Sequence, residues 1–206
     1  MSTFSCPSEC DKICKVKCEL DSFWKNKVKE GRPKNWEIDS EKSSAWTAEE
    51  KEQIKELLAR MPSDLNKLPL EGIYRMKKSV DIVNPATTSY DGKAIVLYNN
   101  TFGHPSWSIQ EVLLHEIGHS IYAGYSAADQ QQYEKTLGWK KDNQGSYSKV
   151  GSFVSVRAHD DPIEDFAENL RFLLLNPEKL KSHNSQAFDW FSVKYKKQLK
   201  LKKECQ

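Results

Sequence analysis

Residues Glu111–Tyr122 read EVLLHEIGHSIY, two histidines four positions apart with a glutamate directly after the first. The reading of this stretch decides the rest. Ser108 stands where a helix N-cap belongs, and Glu111 follows three residues later, the spacing of a capping box. At about 100° per residue, His115 and His119 lie on one helical face, about 40° apart. Leu113, Leu114, Ile117 and Ile121 fall on roughly the opposite face, so one helix can bury an apolar stripe and present both imidazoles together. Neutral imidazole nitrogens are good zinc ligands, and one helical turn brings two of them to a single ion. Glu116 projects beside the pair, where it can take a proton from a water activated by the metal. Gly118 has no side chain and leaves room for a neighbouring backbone. The competing reading is an exposed His–Glu–His face that is merely solvated; HExxH arises by chance in on the order of one chain per hundred.

A catalytic zinc needs a third protein ligand and an open fourth position. The extended metzincin pattern would put glycine at 122 and histidine at 125, but this chain has Tyr122 and Tyr125. The candidate is PIEDFAEN, Pro162 to Asn169, whose Glu164 and Glu168 are four apart and share a helical face. Glu164 can ligate a metal, while Glu168 can accept a hydrogen bond from a ligand imidazole and fix its tautomer. Alone, these carboxylates would read as a solvated acidic face near a helix N-terminus, which also suits the helix dipole. Paired with HEIGH upstream, they read as part of a metal site.

Outward from these two segments, the chain has the composition of a soluble protein that can still build a core. It has 206 residues, 38% hydrophobic and 29% charged, with 31 Lys+Arg against 29 Asp+Glu. A net charge of +2 gives no reason to invoke nucleic acid or an anionic membrane. The basic run Lys194 to Lys203 reads as a solvated helix end. No segment is apolar for 18 residues, so no membrane span is expected. The opening MSTFSCPSECDKICKVKCEL has charges where the apolar core of a signal peptide would lie. The chain is therefore cytoplasmic or a mature form. Cys6, Cys10, Cys14 and Cys18 recur every four residues, with Cys205 near the other end. Such clustering favours disulfides over a metal cluster, since CxxxC is not the usual zinc spacing, and one thiol of five is left over. Disulfides would place the protein outside the cytoplasm: secreted, cell-surface or periplasmic.

Three segments are expected: a Cys-bearing N-terminal extension over 1–45, a domain over 46–200 and a tail over 201–206. Thr47 and Glu50 form a first capping box, opening a helix with Ile54, Leu57, Leu58 and Met61 on one side that ends at Pro62. GIYRMKKSVDIV, Gly72 to Val83, alternates as a strand, and KAIVLYNN, Lys93 to Asn100, is the best strand in the chain, after a turn at Asp91-Gly92. Beyond the motif helix, a helix is expected over Ala127 to Leu137, a loop over 138–156, a helix capped by Asp161 with Pro162 in its first turn, and a last helix over Gln186 to Gln198.

HEIGH, with EDFAE 44 residues beyond it, resembles the gluzincin branch of zinc metallopeptidases. The likeness is closest to the anthrax toxin lethal factor-like catalytic domain and the secreted Pro-Pro endopeptidases, and runs from about Trp46 to Tyr195. It implies an α+β, zincin-like fold: a small twisted sheet above the HExxH active-site helix, with a mostly helical C-terminal half. It also implies His115, His119 and Glu164 as Zn2+ ligands, Glu116 as general base and Glu168 behind a ligand. Seven residues before the ligand glutamate the family has a tyrosine that steadies the oxyanion; here Arg157 stands there. A guanidinium can serve the same charge, since any well-aimed donor does so. Tyr147 and His159 are reserves. The expected function is a monomeric zinc endopeptidase, with a protein or peptide substrate aligned on an edge strand formed by Ile95, Val96, Leu97, Tyr98 and Asn99. The alternative is a catalytically silent zinc-binding module that recognises a protein partner through the same cleft; a metal-free structural protein is a third.

Overall fold

In the computed structural model, residues 19–34, 36, 42–77 and 83–202 are described, and all five cysteines lie outside them. The architecture is α+β. A four-stranded sheet is built from β1 (Val28–Lys29), β2 (Gly72–Arg75), β3 (Ala86–Thr88) and β4 (Ala94–Leu97) in the order β1-β2-β4-β3. The first three of that order run parallel, and β3 pairs antiparallel with β4. The register Ile73↔Ile95↔Thr88 and Arg75↔Leu97↔Ala86 sets the faces of the sheet. Side chains alternate between faces. Ile73, Ile95, Leu97 and Ala86 enter the main core, while Val96, Ala94, Tyr98 and Met76 pack with Trp36 on the other side.

Both expected capping boxes form. Thr47 and Glu50 open α1 (Ala48–Arg60), and Ser108 and Glu111 open α2 (Ile109–Ala123). α3 (Ala127–Thr136) follows, then a hairpin of β5 (Trp139–Lys141) and β6 (Tyr147–Lys149), then α4 (Pro162–Leu175), α5 (Pro177–His183) and α6 (Ser185–Lys194). Asp161 caps α4 through the amides of Ile163 and Glu164. α2 is buried on nearly all sides because it lies between the sheet and α4. At Gly118, a Cβ would come within 2.6 Å of the Ala167 Cα, so the absent side chain admits the α4 backbone. The turn at Asp91-Gly92 carries Gly92 at φ 71°, and its carbonyl accepts a 2.6 Å bond from the Ser120 hydroxyl of α2.

Several expectations need correction. The strand expected over Lys93 to Asn100 is internal. β4 lies between β2 and β3, its four residues are buried, and Asn99 already opens a 3-10 turn. Ile95, Val96, Leu97, Tyr98 and Asn99 therefore offer no free edge; among the described residues the edges of this sheet are β1 and β3. Alternation cannot reveal this, because a strand covered on both faces is apolar throughout. The strand from Gly72 ends at Arg75, and 78–82 lie outside the described residues. The expected loop over 138–156 contains the β5–β6 hairpin, whose three-residue strands are too short to show a period. The last helix, expected over Gln186 to Gln198, is α6, capped by Asn184 and ending at Lys194, and the short α5 before it is not among the expected elements. No packing boundary falls at residue 45. β1 extends the sheet, Trp24 is 1% exposed within the main core, and Trp46 donates to the Lys29 carbonyl at 2.7 Å. At the other end, Leu199 is buried in the same core and Lys202 pairs with the Arg60 carbonyl. No helix among the described residues is long and apolar enough to cross a membrane.

Candidate metal centre

α2 and α4 cross where Gly118 meets Ala167, and that contact brings His115 and His119 opposite Glu164. The Nε2 atoms of the two imidazoles are 2.9 Å apart. Glu164 lays one oxygen toward each ring, Oε2 at 3.2 Å from His115 Nε2 and Oε1 at 3.4 Å from His119 Nε2. An ion bound tetrahedrally at about 2.0–2.2 Å needs donor–donor separations of roughly 3.4 Å. The three separations approach that figure, and the donor set of two imidazoles and a carboxylate suits a divalent ion. These three residues can hold a metal.

The partners behind the donors fix their orientation. His115 Nδ1 donates to Glu168 Oε1 at 2.8 Å, which leaves Nε2 with its lone pair toward Glu164 and His119 when the ring is neutral. Glu168 is itself held, by Arg171 Nη2 at 2.8 Å and by the Ser155 hydroxyl. Arg171 also reaches the capping Glu111 at 3.1 Å, tying α4 to the start of α2. Burial opposes a charge on His115. The hydrogen bonds to Glu164 and Glu168 prevail in the metal-free protein and raise the ring to about 9. Burial would likewise raise both carboxyls; the imidazoles hold Glu164 well below the usual range, and His115 with Arg171 brings Glu168 down to about 2.

Glu116 is 3% exposed but borders a cleft of about 810 Å³ that also contains His119, Glu164 and the β3 residues Ala86, Thr87 and Thr88. The Thr88 hydroxyl donates to Glu116 Oε2 at 2.6 Å. Arg157, on a 3-10 turn over Arg157–His159, lines the same cleft and donates from Nε to Glu164 Oε2 at 2.7 Å. Its Nη1 makes no hydrogen bond among the described residues. Of the two reserve residues, Tyr147 lines the cleft and donates to Glu134 at 3.4 Å, whereas His159 stacks on Phe153, 3.7 Å between ring centres, and does not line it.

The sequence reading therefore named the residues that converge on the site and Glu168 behind His115, but not what holds Glu116 and Glu168. Thr88 and Ser155 carry no local signal, and only the folded chain puts them beside Glu116 and Glu168; Arg171 sits three residues after Glu168 on α4, a spacing the sequence does offer. Asp165, between the two site glutamates, is also unannounced. It is fully buried, and accepts from Trp139 Nε1 at 2.9 Å, Lys149 Nζ at 3.0 Å, Tyr133 at 3.2 Å and Asn169 at 2.9 Å. It fastens the hairpin to α4 while its neighbour Glu164 faces the cleft.

Comparison with protein families, with curated proteins and with solved structures finds no match to this chain. The functional reading rests on the site's own geometry.

Proposed function

We propose that the protein is a zinc-dependent endopeptidase of zincin-like fold, allied to the lethal factor-like gluzincins that its HEIGH and EDFAE segments resemble. The observation that carries the reading is the convergence of His115, His119 and Glu164 on one point of an open cleft, with the Glu116 carboxylate beside them. His115, His119 and Glu164 would hold a zinc ion, which would supply the Lewis acidity that acidifies a water and polarises a carbonyl. Glu116 accepts the proton of the attacking water and passes it to the departing amine. Thr88 restrains Glu116 through its 2.6 Å hydrogen bond, so the base is already aimed. Glu168 keeps His115 in the tautomer that presents Nε2. Arg157 keeps Nη1 available for the developing oxyanion while its Nε stays on Glu164. The free edge of β3 aligns an extended peptide by main-chain pairing, the task first assigned to Ile95 through Asn99.

A second reading has one observation in its favour. Arg157 already spends two of its donors on Glu164, at 2.7 and 3.5 Å, and a guanidinium so engaged can belong to a silent zinc module that only binds a partner. One experiment separates the two. Protein purified without added metal is assayed for zinc, then wild type and Glu116→Ala are compared on a peptide library. The expected result is one zinc per chain in both and cleavage at least about 100-fold slower in the variant. Equal cleavage would remove Glu116 from the mechanism, and zinc without cleavage in either protein would leave the binding module.

A further inference from the structure

One helical turn beyond His119, α2 presents Tyr122 to the same cleft. Its hydroxyl donates to Glu134 Oε1 on α3 at 2.9 Å, and the Tyr147 hydroxyl from the β5–β6 hairpin reaches the same oxygen at 3.4 Å. Two elements, α2 and the hairpin, thus converge on one carboxylate of a third. Both tyrosines take Oε1, and Oε2 accepts no hydrogen bond among the described residues. Glu134 also has no cationic partner there. Of the cations of the cleft, Arg157 lies on Glu164, while Lys141 stands over one face of the Tyr147 ring, 4.9 Å from its centre, and forms no ion pair with Glu134. Lys141 shows that this ring face receives an ammonium. Glu134 therefore supplies a negative charge with one oxygen free, in a frame of two tyrosine rings, one of which, Tyr122, stands about 4.5 Å along α2 from His119. A carboxylate framed by aromatic rings selects cations, by charge-assisted hydrogen bonding and by attraction to the ring faces.

We infer that Glu134, Tyr122 and Tyr147 form a specificity subsite that takes a lysine or arginine side chain of the substrate close to the scissile bond. The inference rests on the peptidase reading for the place of the bond that is cut. The subsite itself is a binding property, measurable whether or not the chain cuts.

The test uses zinc-loaded Glu116→Gln protein, so that peptides persist, and two fluorescent peptide series identical except that one residue is lysine or its uncharged isostere norleucine, moved through each position. At one position the lysine peptide is expected to bind about tenfold tighter, the ratio that one charge-assisted hydrogen bond provides. Adding Glu134→Gln keeps an oxygen for the tyrosine hydroxyls but removes the charge, and should bring that ratio close to one without changing affinity for the norleucine peptide or zinc content. Adding Glu134→Lys should invert it in favour of a glutamate peptide. Equal binding of both series at every position, or a lysine preference that survives Glu134→Gln, would overturn the subsite. A lysine preference in the binding assay, with no cleavage by wild type, would instead keep the subsite and refute the peptidase.

Discussion

His115 meets a carboxylate at each ring nitrogen, Glu168 at 2.8 Å and Glu164 at 3.2 Å. In the absence of metal this favours the imidazolium, which explains a pKa near 9 in a ring that burial alone would push down. The pH dependence follows from the signs. A raised histidine contributes stability that is complete below its unfolded value of about 6.5 and is lost as pH rises through about 9. Glu168, lowered to about 2, contributes stability that is complete above about 4.5 and is lost as pH falls through about 2. The metal-free protein should therefore be most stable between about pH 4.5 and 6.5. Zinc must displace the proton on His115, so its apparent affinity should rise by about tenfold per unit between pH 6.5 and 9. Zinc titrations across that range, with calorimetry in buffers of different ionisation enthalpy, measure both the slope and the proton released. A flat profile would mean that His115 does not ligate. At this scale the sequence was legible for residues whose chemistry is repeated at a helical interval. Thr88 and Ser155 were not, because each acts from another element on a glutamate well away in the chain; Arg171 stands at a helical interval from Glu168, and only its second contact, to Glu111, spans the fold.

At the scale of elements, the approach of α2 to α4 sets the site. Gly118 permits it, since an added Cβ would stand 2.6 Å from the Ala167 Cα and 3.1 Å from its Cβ. Two effects oppose each other in Gly118→Ala. Alanine favours a helix interior by about 1 kcal/mol over glycine, whereas overpacking a tight contact costs about 1–3 kcal/mol. The neighbour is backbone and cannot rotate away, so overpacking should win by up to about 2 kcal/mol and lower the Tm by up to roughly 6 °C. Glu164 lies one turn before Ala167, so parting the helices should also weaken zinc binding; thermal unfolding with and without zinc reads both. A variant more stable than wild type in both conditions would show that the helices are not in contact as described. The capped helices were readable from sequence because Ser108-Glu111, Thr47-Glu50 and Asp161-Pro162 are local devices. The β5–β6 hairpin was not, because Trp139 and Lys149 are held by Asp165 rather than by a pattern of their own. Nor was the position of β4 within the sheet, which depends on where β3 pairs.

For the whole molecule, the instructive difference lies at residue 45. Charge and weak periodicity set the segment before it apart, yet much of residues 19–34 belongs to the body of the fold. Ile73 takes its amide partner from the Lys27 carbonyl at 2.6 Å, β1 covers the outer side of β2, and Trp24 fills the core beside α1. Composition could not reveal this: one tryptophan and two strand residues bring a charged segment into the core. The consequence is measurable. A chain beginning at Trp46 would expose the β2 edge and empty the space of Trp24, and an uncovered edge is a template for association. We expect it to aggregate or to unfold at much lower urea than the full chain. Trp24→Ala in the full chain, which keeps β1 in place, isolates the cavity and should cost about 3–5 kcal/mol. The edge and the cavity both lie on the sheet that carries β3, whose Thr88 holds Glu116. Loss of the first strand should therefore reach the cleft as well, and under the proposed peptidase reading it would slow cleavage by whatever fraction remains folded. If the shortened chain matched the full one in urea midpoint and in zinc content, the sheet would be complete without β1, and the boundary at residue 45 would stand.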